Sequence, residues 1–124
     1  MHEVSVMSGI IDAVMAELAK HDVEKVEEVL LVVGELTYLG KDQLSFAYEI
    51  MTKDTPLEGS SLVFEDERTE VSCQACGFQG PAEYYVDESF HNNIPKLSCP
   101  KCGSGVKVTK GKSCRISSIK VVER

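Results

Sequence analysis

The chain has 124 residues, 43% of them hydrophobic, enough for one domain of ordinary size or two small ones with a modest core. Its 20 acidic and 13 basic residues leave a net charge of −7. That balance argues against a sequence-independent grip on phosphate backbone and suits metal cations or basic protein partners.

Residues 2–4 read as an extended lead-in or very short strand. A helix is predicted from about Ser5 to Lys20, because Val6, Ile10, Val14 and Leu18 fall four apart with Met7, Ile11 and Met15 beside them. Ser5 or Ser8 is the expected cap, and His21-Asp22 the end. A strand is predicted near Glu27 to Val33, stopping at Gly34. A second helix follows with Asp42 as N-cap, on the pattern Leu44, Ala47, Tyr48, Met51. Thr55 to Gly59 is a turn, and Leu62 and Phe64 begin a strand of partial alternation. From about Val71 to Gly111 the chain turns rich in Cys, Gly and turn residues, with strand-like pieces at Ala82–Val86 and Val106–Thr109. It has few large aliphatic residues there, so a metal must replace the missing core. Ile116, Ile119, Val121 and Val122 make a last strand. The expected fold class is α/β, two helices packed on a small mixed sheet of three or four strands. Residues 1–70 plus 112–124 form the α/β domain, and 71–111 an inserted metal-binding module.

No apolar run reaches the length of a membrane span, and the start lacks the basic residues and long apolar stretch of a secretory leader. The protein is therefore expected in the cytoplasm, where paired cysteines mean metal rather than disulfides. Cys73-Gln-Ala-Cys76 and Cys99-Pro-Lys-Cys102 are two CxxC turns, each followed by glycine. Each turn puts two sulfurs on one side of a tight loop, and two facing loops supply four thiolates to one tetrahedral ion. Zinc is the expected metal, structural because four thiolates close the shell. Iron takes the same ligands in rubredoxin-like proteins, and a pair of disulfides is the plain alternative. Cys114, the fifth cysteine, reads as a small apolar residue at the start of the last strand, with a reactive thiol or a fifth ligand as the alternatives.

Met1-His2-Glu3 is the second informative stretch. The amine of Met1 with the backbone nitrogen and imidazole of His2 can close two small chelate rings on one ion. A planar set of nitrogens suits Ni(II) or Cu(II). A solvated terminal histidine is the plain alternative.

The Met-His-Glu start, the strand ending Val33-Gly34-Glu35-Leu36, the Leu57-Glu58-Gly59 turn before a strand, CxxC, CPxCG and a short closing strand occur in one order. That order resembles the HypA family of nickel metallochaperones for [NiFe]-hydrogenase maturation, over essentially the whole chain. The resemblance implies Ni(II) bound through Met1, His2 and Glu3, beside a structural zinc module. It implies a partner GTPase, HypB, and delivery to the precursor of the hydrogenase large subunit. Related proteins in some organisms also serve urease.

The gap between the Cys pairs is longer than in compact members of that family and carries His91 amid several carboxylates. His91 is either an exposed loop residue or a further nickel ligand. His21 reads as a favourable charge at a helix C-terminus. No nucleophile–base pair, Gly-rich phosphate loop or G-x-S-x-G is present, so a carrier rather than an enzyme is expected. The competing classes are a zinc-ribbon module for nucleic-acid transactions and a rubredoxin-like electron carrier. The chain's acidity opposes the first, despite the basic cluster Lys107, Lys110, Lys112 and Arg115. Neither nucleic acid nor membrane is an expected partner.

Overall fold

Apolar residues at helical spacing in the first 18 positions fold into helix α1, Glu3–Leu18, in the computed structural model, which describes residues 2–87 and 92–124. The predicted stripe is the buried one: Met7, Ile10, Ile11 and Val14 are buried, with Val6, Met15 and Leu18 packed against them. The helix starts earlier than the apolar pattern suggests. His2 is the N-cap, in extended backbone, and its carbonyl accepts the Val6 N–H at 3.1 Å. Residues 3 and 4 are thus helical rather than extended, and neither Ser5 nor Ser8 caps.

Strand β1, Val23–Gly34, is longer than predicted, because its first half alternates with charged residues while its second half is buried. A single 3₁₀ turn, Glu35–Thr37, leads to α2, Lys41–Met51, capped by Gly40, with Asp42 one residue inside the helix. Leu44, Ala47 and Tyr48 are buried, as their spacing predicts. The Tyr48 hydroxyl hydrogen-bonds the Ser60 hydroxyl at 2.6 Å, tying α2 to the turn before β2, Ser61–Glu67.

Strand β2 lies parallel to β1, with α2 as the crossover, and the last strand β8, Cys114–Glu123, pairs antiparallel on the other side of β1. The sheet is mixed, order β2-β1-β8. Val29, Leu31 and Val33 of its central strand meet Met7, Val14, Leu44 and Leu57 in one core. Burying such side chains contributes about 1.5–3 kcal/mol each.

Between β2 and β8 the chain builds a second, smaller sheet. Strands β3 (Glu70–Ser72), β4 (Gln79–Pro81) and β7 (Lys107–Lys110) form it in the order β4-β3-β7. Strands β5 (Tyr84–Asp87) and β6 (Asn92–Pro95) pair antiparallel as a separate two-stranded ribbon. Val71, Ala82 and the Cys73 and Cys99 side chains are buried here, too little apolar area for a self-sufficient core.

Where β1 ends, the two sheets meet. The Gly34 N–H donates to the Ser113 carbonyl at 2.9 Å and the Leu36 N–H to the Gly111 carbonyl at 2.8 Å. Glu67 accepts the Gly111 N–H at 2.9 Å and pairs with Arg115 at 2.5 Å.

Candidate metal centres

The two CxxC segments form matching knuckles. The Cys73 N–H donates to the Phe78 carbonyl at 2.8 Å and the Gly77 N–H to the Cys73 carbonyl at 2.9 Å. In the second, the Cys99 N–H donates to Ser104 at 2.8 Å and the Gly103 N–H to Cys99 at 2.9 Å. Gly77 (φ 82°) and Gly103 (φ 76°) occupy the left-handed region, where a Cβ is disfavoured, which is why glycine follows each pair.

The knuckles face each other, and the four sulfurs all lie within 4.8 Å of one another. Cys73 and Cys102 are 3.6 Å apart, and Cys76 and Cys99 3.5 Å. All five cysteines are free, since a disulfide needs sulfurs about 2.05 Å apart. Thiolates about 2.3 Å from a tetrahedral zinc stand about 3.8 Å from each other. The donor set and its spacing therefore fit a closed four-thiolate zinc site. Such an ion supplies no chemistry of its own; it replaces a hydrophobic core.

Electrostatics favour a cation at the same point. The Ser104 hydroxyl and N–H hold the Cys102 thiol down to about 6. Burial opposes ionisation of Cys99, but the N–H groups of Cys102 and Lys101 outweigh it and lower its thiol. The Phe78 N–H works to lower Cys76, yet its sulfur neighbours Cys99, Cys102 and Cys73 together with burial drive it up to about 12. Four sulfurs this close resist ionising together unless a positive ion shares them. Cys114 is half-buried and apart, and burial raises its thiol, in keeping with a small apolar residue.

At the other candidate site, Met1 and His91 lie outside the described residues; His91 falls between β5 and β6. His2 and Glu3 are described. The His2 imidazole is exposed and caps nothing, so it is free for a ligand. The first N–H groups of α1 lack intrahelical partners, and the positive end of the helix dipole stabilises an anionic amide nitrogen there. His2, Glu3 and Val4 line one side of an open groove of about 590 Å³ whose other side is α2, from Asp42 to Met51. Asp42 thus shares a groove with the His2 side chain, which the sequence reading missed. Its spacing signalled only a helix start, and nothing local links position 42 to position 2.

His21 lies 3.5 Å from Glu17 near the end of α1, in keeping with a charge at a helix C-terminus. Of the basic cluster, Arg115 pairs with Glu67 and Lys110 with Glu70, so half of it is neutralised locally. Among the described residues no helix is long and apolar enough to cross a membrane.

Fold and cysteine cluster together define a small α/β protein with a four-thiolate metal module between its second and last long strands. Residues 1–121 match the family model described as "Hydrogenase/urease nickel incorporation, metallochaperone, hypA". The hydrogenase maturation factor HypA of Caldanaerobacter subterraneus is 37% identical over 98% of this chain and 99% of its own length. That of Methanopyrus kandleri is 35% identical over 98% of this chain and 93% of its own. The solution structure of the Ni metallochaperone HypA from Helicobacter pylori superposes with a TM-score of 0.73 at 25% identity, over the full length of both chains. The chain belongs to the HypA family of nickel-incorporation metallochaperones for hydrogenase maturation.

Proposed function

We propose that this protein carries one Ni(II) at its N-terminus and, with the GTPase HypB, delivers it in the cytoplasm to the precursor of the [NiFe]-hydrogenase large subunit. The observation that carries the reading is His2 at the N-cap of α1, its imidazole exposed beside helix amides without intrahelical partners. The amine of Met1, the amide and imidazole of His2 and a group from Glu3 form the ligand set, with Asp42 adding a carboxylate from across the groove. His91 is a further ligand assigned to the ion. Residues 1–70 with 112–124 make the nickel-binding domain, and 71–111, held by zinc on Cys73, Cys76, Cys99 and Cys102, the structural module. A carrier of this kind performs no catalytic step of its own.

A site of this kind suits a carrier. Its amine and imidazole release protons to bind metal and regain them to let it go, and an exposed helix start is dismantled by a small movement. Nickel titration by calorimetry, on zinc-loaded protein with a native start, tests the proposal beside His2→Ala. Saturation near one nickel per chain, abolished by the substitution, is expected. Equal binding by both proteins would move the nickel elsewhere in the chain.

A further inference from the structure

The two sheets are joined by two chain crossings, Arg68-Thr69 between β2 and β3 and Gly111 to Ser113 between β7 and β8. Backbone bonds from Gly34 and Leu36 pin the second crossing at Ser113 and Gly111, and leave the first crossing and the ribbon to be fixed by side chains. Among the described residues, one side chain from outside both small sheets reaches the two at once. Glu35, in the 3₁₀ turn after β1, accepts the Thr69 N–H at 2.8 Å and the Tyr84 hydroxyl at 2.5 Å on the same oxygen, Oε1. Thr69 lies in the first crossing, and Tyr84 opens the ribbon strand β5. The Arg68 guanidinium stands 4.9 Å over the Tyr84 ring, a cation–π contact that adds to the hold on the phenol. The Thr69 carbonyl in turn accepts the Ala82 N–H at 3.1 Å, so the bond from Glu35 continues into the segment leading to the ribbon.

We propose that Glu35 is a positioning residue, a latch that fixes the orientation of the cysteine-bearing module on the α/β domain that carries His2. The geometry gives it that role rather than a local one. Glu35 is 34 and 49 residues from its two partners, and neither belongs to the three-stranded sheet it follows. A carboxylate accepting two bonds makes each stronger than a neutral acceptor would. With the latch shut, the four sulfurs keep one distance from the N-terminus; with it open, the module turns on its two crossings.

Residual dipolar couplings of zinc-loaded protein test this, on Glu35→Ala and, from the opposite end of the bond, Tyr84→Phe. The wild-type protein is expected to fit one alignment tensor for amides of both sheets. Each variant is expected to need two, with smaller couplings in β3, β4 and β7 than in β1, β2 and β8. Glu35→Gln, which keeps an acceptor oxygen, is expected to restore the single tensor at least in part. A single tensor in both Glu35→Ala and Tyr84→Phe overturns the latch. Cobalt(II) substitution on a His2→Ala background is the control for metal binding. Thiolate charge-transfer bands of equal intensity in wild type and variants show the knuckles intact, so a change of tensor then reports orientation rather than unfolding. Absence of those bands in every form would fault the metal assignment, and the tensor comparison would still decide the latch.

Discussion

A Cβ placed on Gly34 would stand 2.4 Å from both the carbonyl carbon and oxygen of Gly111, so the end of β1 and the return into β8 touch backbone to backbone. No rotamer relieves such a contact, because the obstacle is main chain. Gly111 is confined too, at φ 94° with Thr69 Cα 2.9 Å from its own missing Cβ. Gly34→Ala is expected to cost about 2–4 kcal/mol in urea unfolding, by forcing the crossing apart. Gly9→Ala, in α1 with open space around it, is the control and is expected to stabilise by about 0.5–1 kcal/mol.

Removal of metal is expected to unfold one part of the molecule and spare the rest. The small sheet buries few apolar side chains beyond Val71 and Ala82, whereas β1 and both helices share a continuous core. Hydrogen exchange after treatment with a strong chelator should show protection lost in β3, β4 and β7 and kept in β1, β2 and β8. Cys73→Ser is expected to reproduce the pattern without chelator. Uniform loss across both sheets would refute the division.

Acid should weaken the junction through Glu67. The Arg115 guanidinium and the Gly111 N–H hold its carboxyl down to about 2, below its ordinary value of 4.5. A carboxyl depressed on folding contributes stability that is complete above the unfolded value and is lost as pH falls through the folded one. The loss therefore runs from about pH 5 to pH 2. Half of Arg115 is exposed to solvent, which screens the pair and limits the effect to about 1 kcal/mol. Glu67→Gln is expected to flatten that part of the stability curve, measured as the difference from wild type so that metal loss in acid cancels.

A nickel site built as proposed should depend on the start of the chain more than on any side chain but His2. One or two residues added before Met1 move the amine out of reach and are expected to abolish nickel binding in calorimetry, leaving zinc content unchanged. Asp42→Asn keeps the shape of the groove and removes one charge from it. It is expected to weaken nickel by about three- to tenfold, a loss of order 1 kcal/mol. Affinity in wild type is expected to fall as pH is lowered, since imidazole and amine must both be unprotonated to bind.

What a sequence shows well here is chemistry confined to short spans. The CxxC knuckles need three intervening bonds and a glycine, and they stand in the structure as their spacing predicts. The helical stripes of α1 and α2 are equally local. The start of α1 was hidden, because His2 caps it by backbone alone and leaves no side-chain signature. Strands β3, β4 and β6 were hidden too. Gly80 and Pro81 are poor strand formers, and what makes β4 a strand is its register against Glu70–Ser72. Glu35 and Asp42 owe their places to residues 49 and 40 positions away, distances over which no periodicity carries information.

The order in which the small sheet is inserted also sets the order of assembly. Strand β8 is the last made, yet it pairs along nearly all of β1, whose residues leave the ribosome some ninety positions earlier. Closing a loop of that length costs chain entropy before any ladder bond forms. Metal captured by the knuckles draws Glu70 against Lys110 and so shortens the loop that β8 must close. The ion that stays in the protein is therefore expected to speed the folding of the α/β domain built from both ends of the chain, as well as to hold the small sheet. Synthesis in zinc-starved cells should leave β1 waiting for its neighbour, its Val-Leu-Leu-Val-Val run open to aggregation.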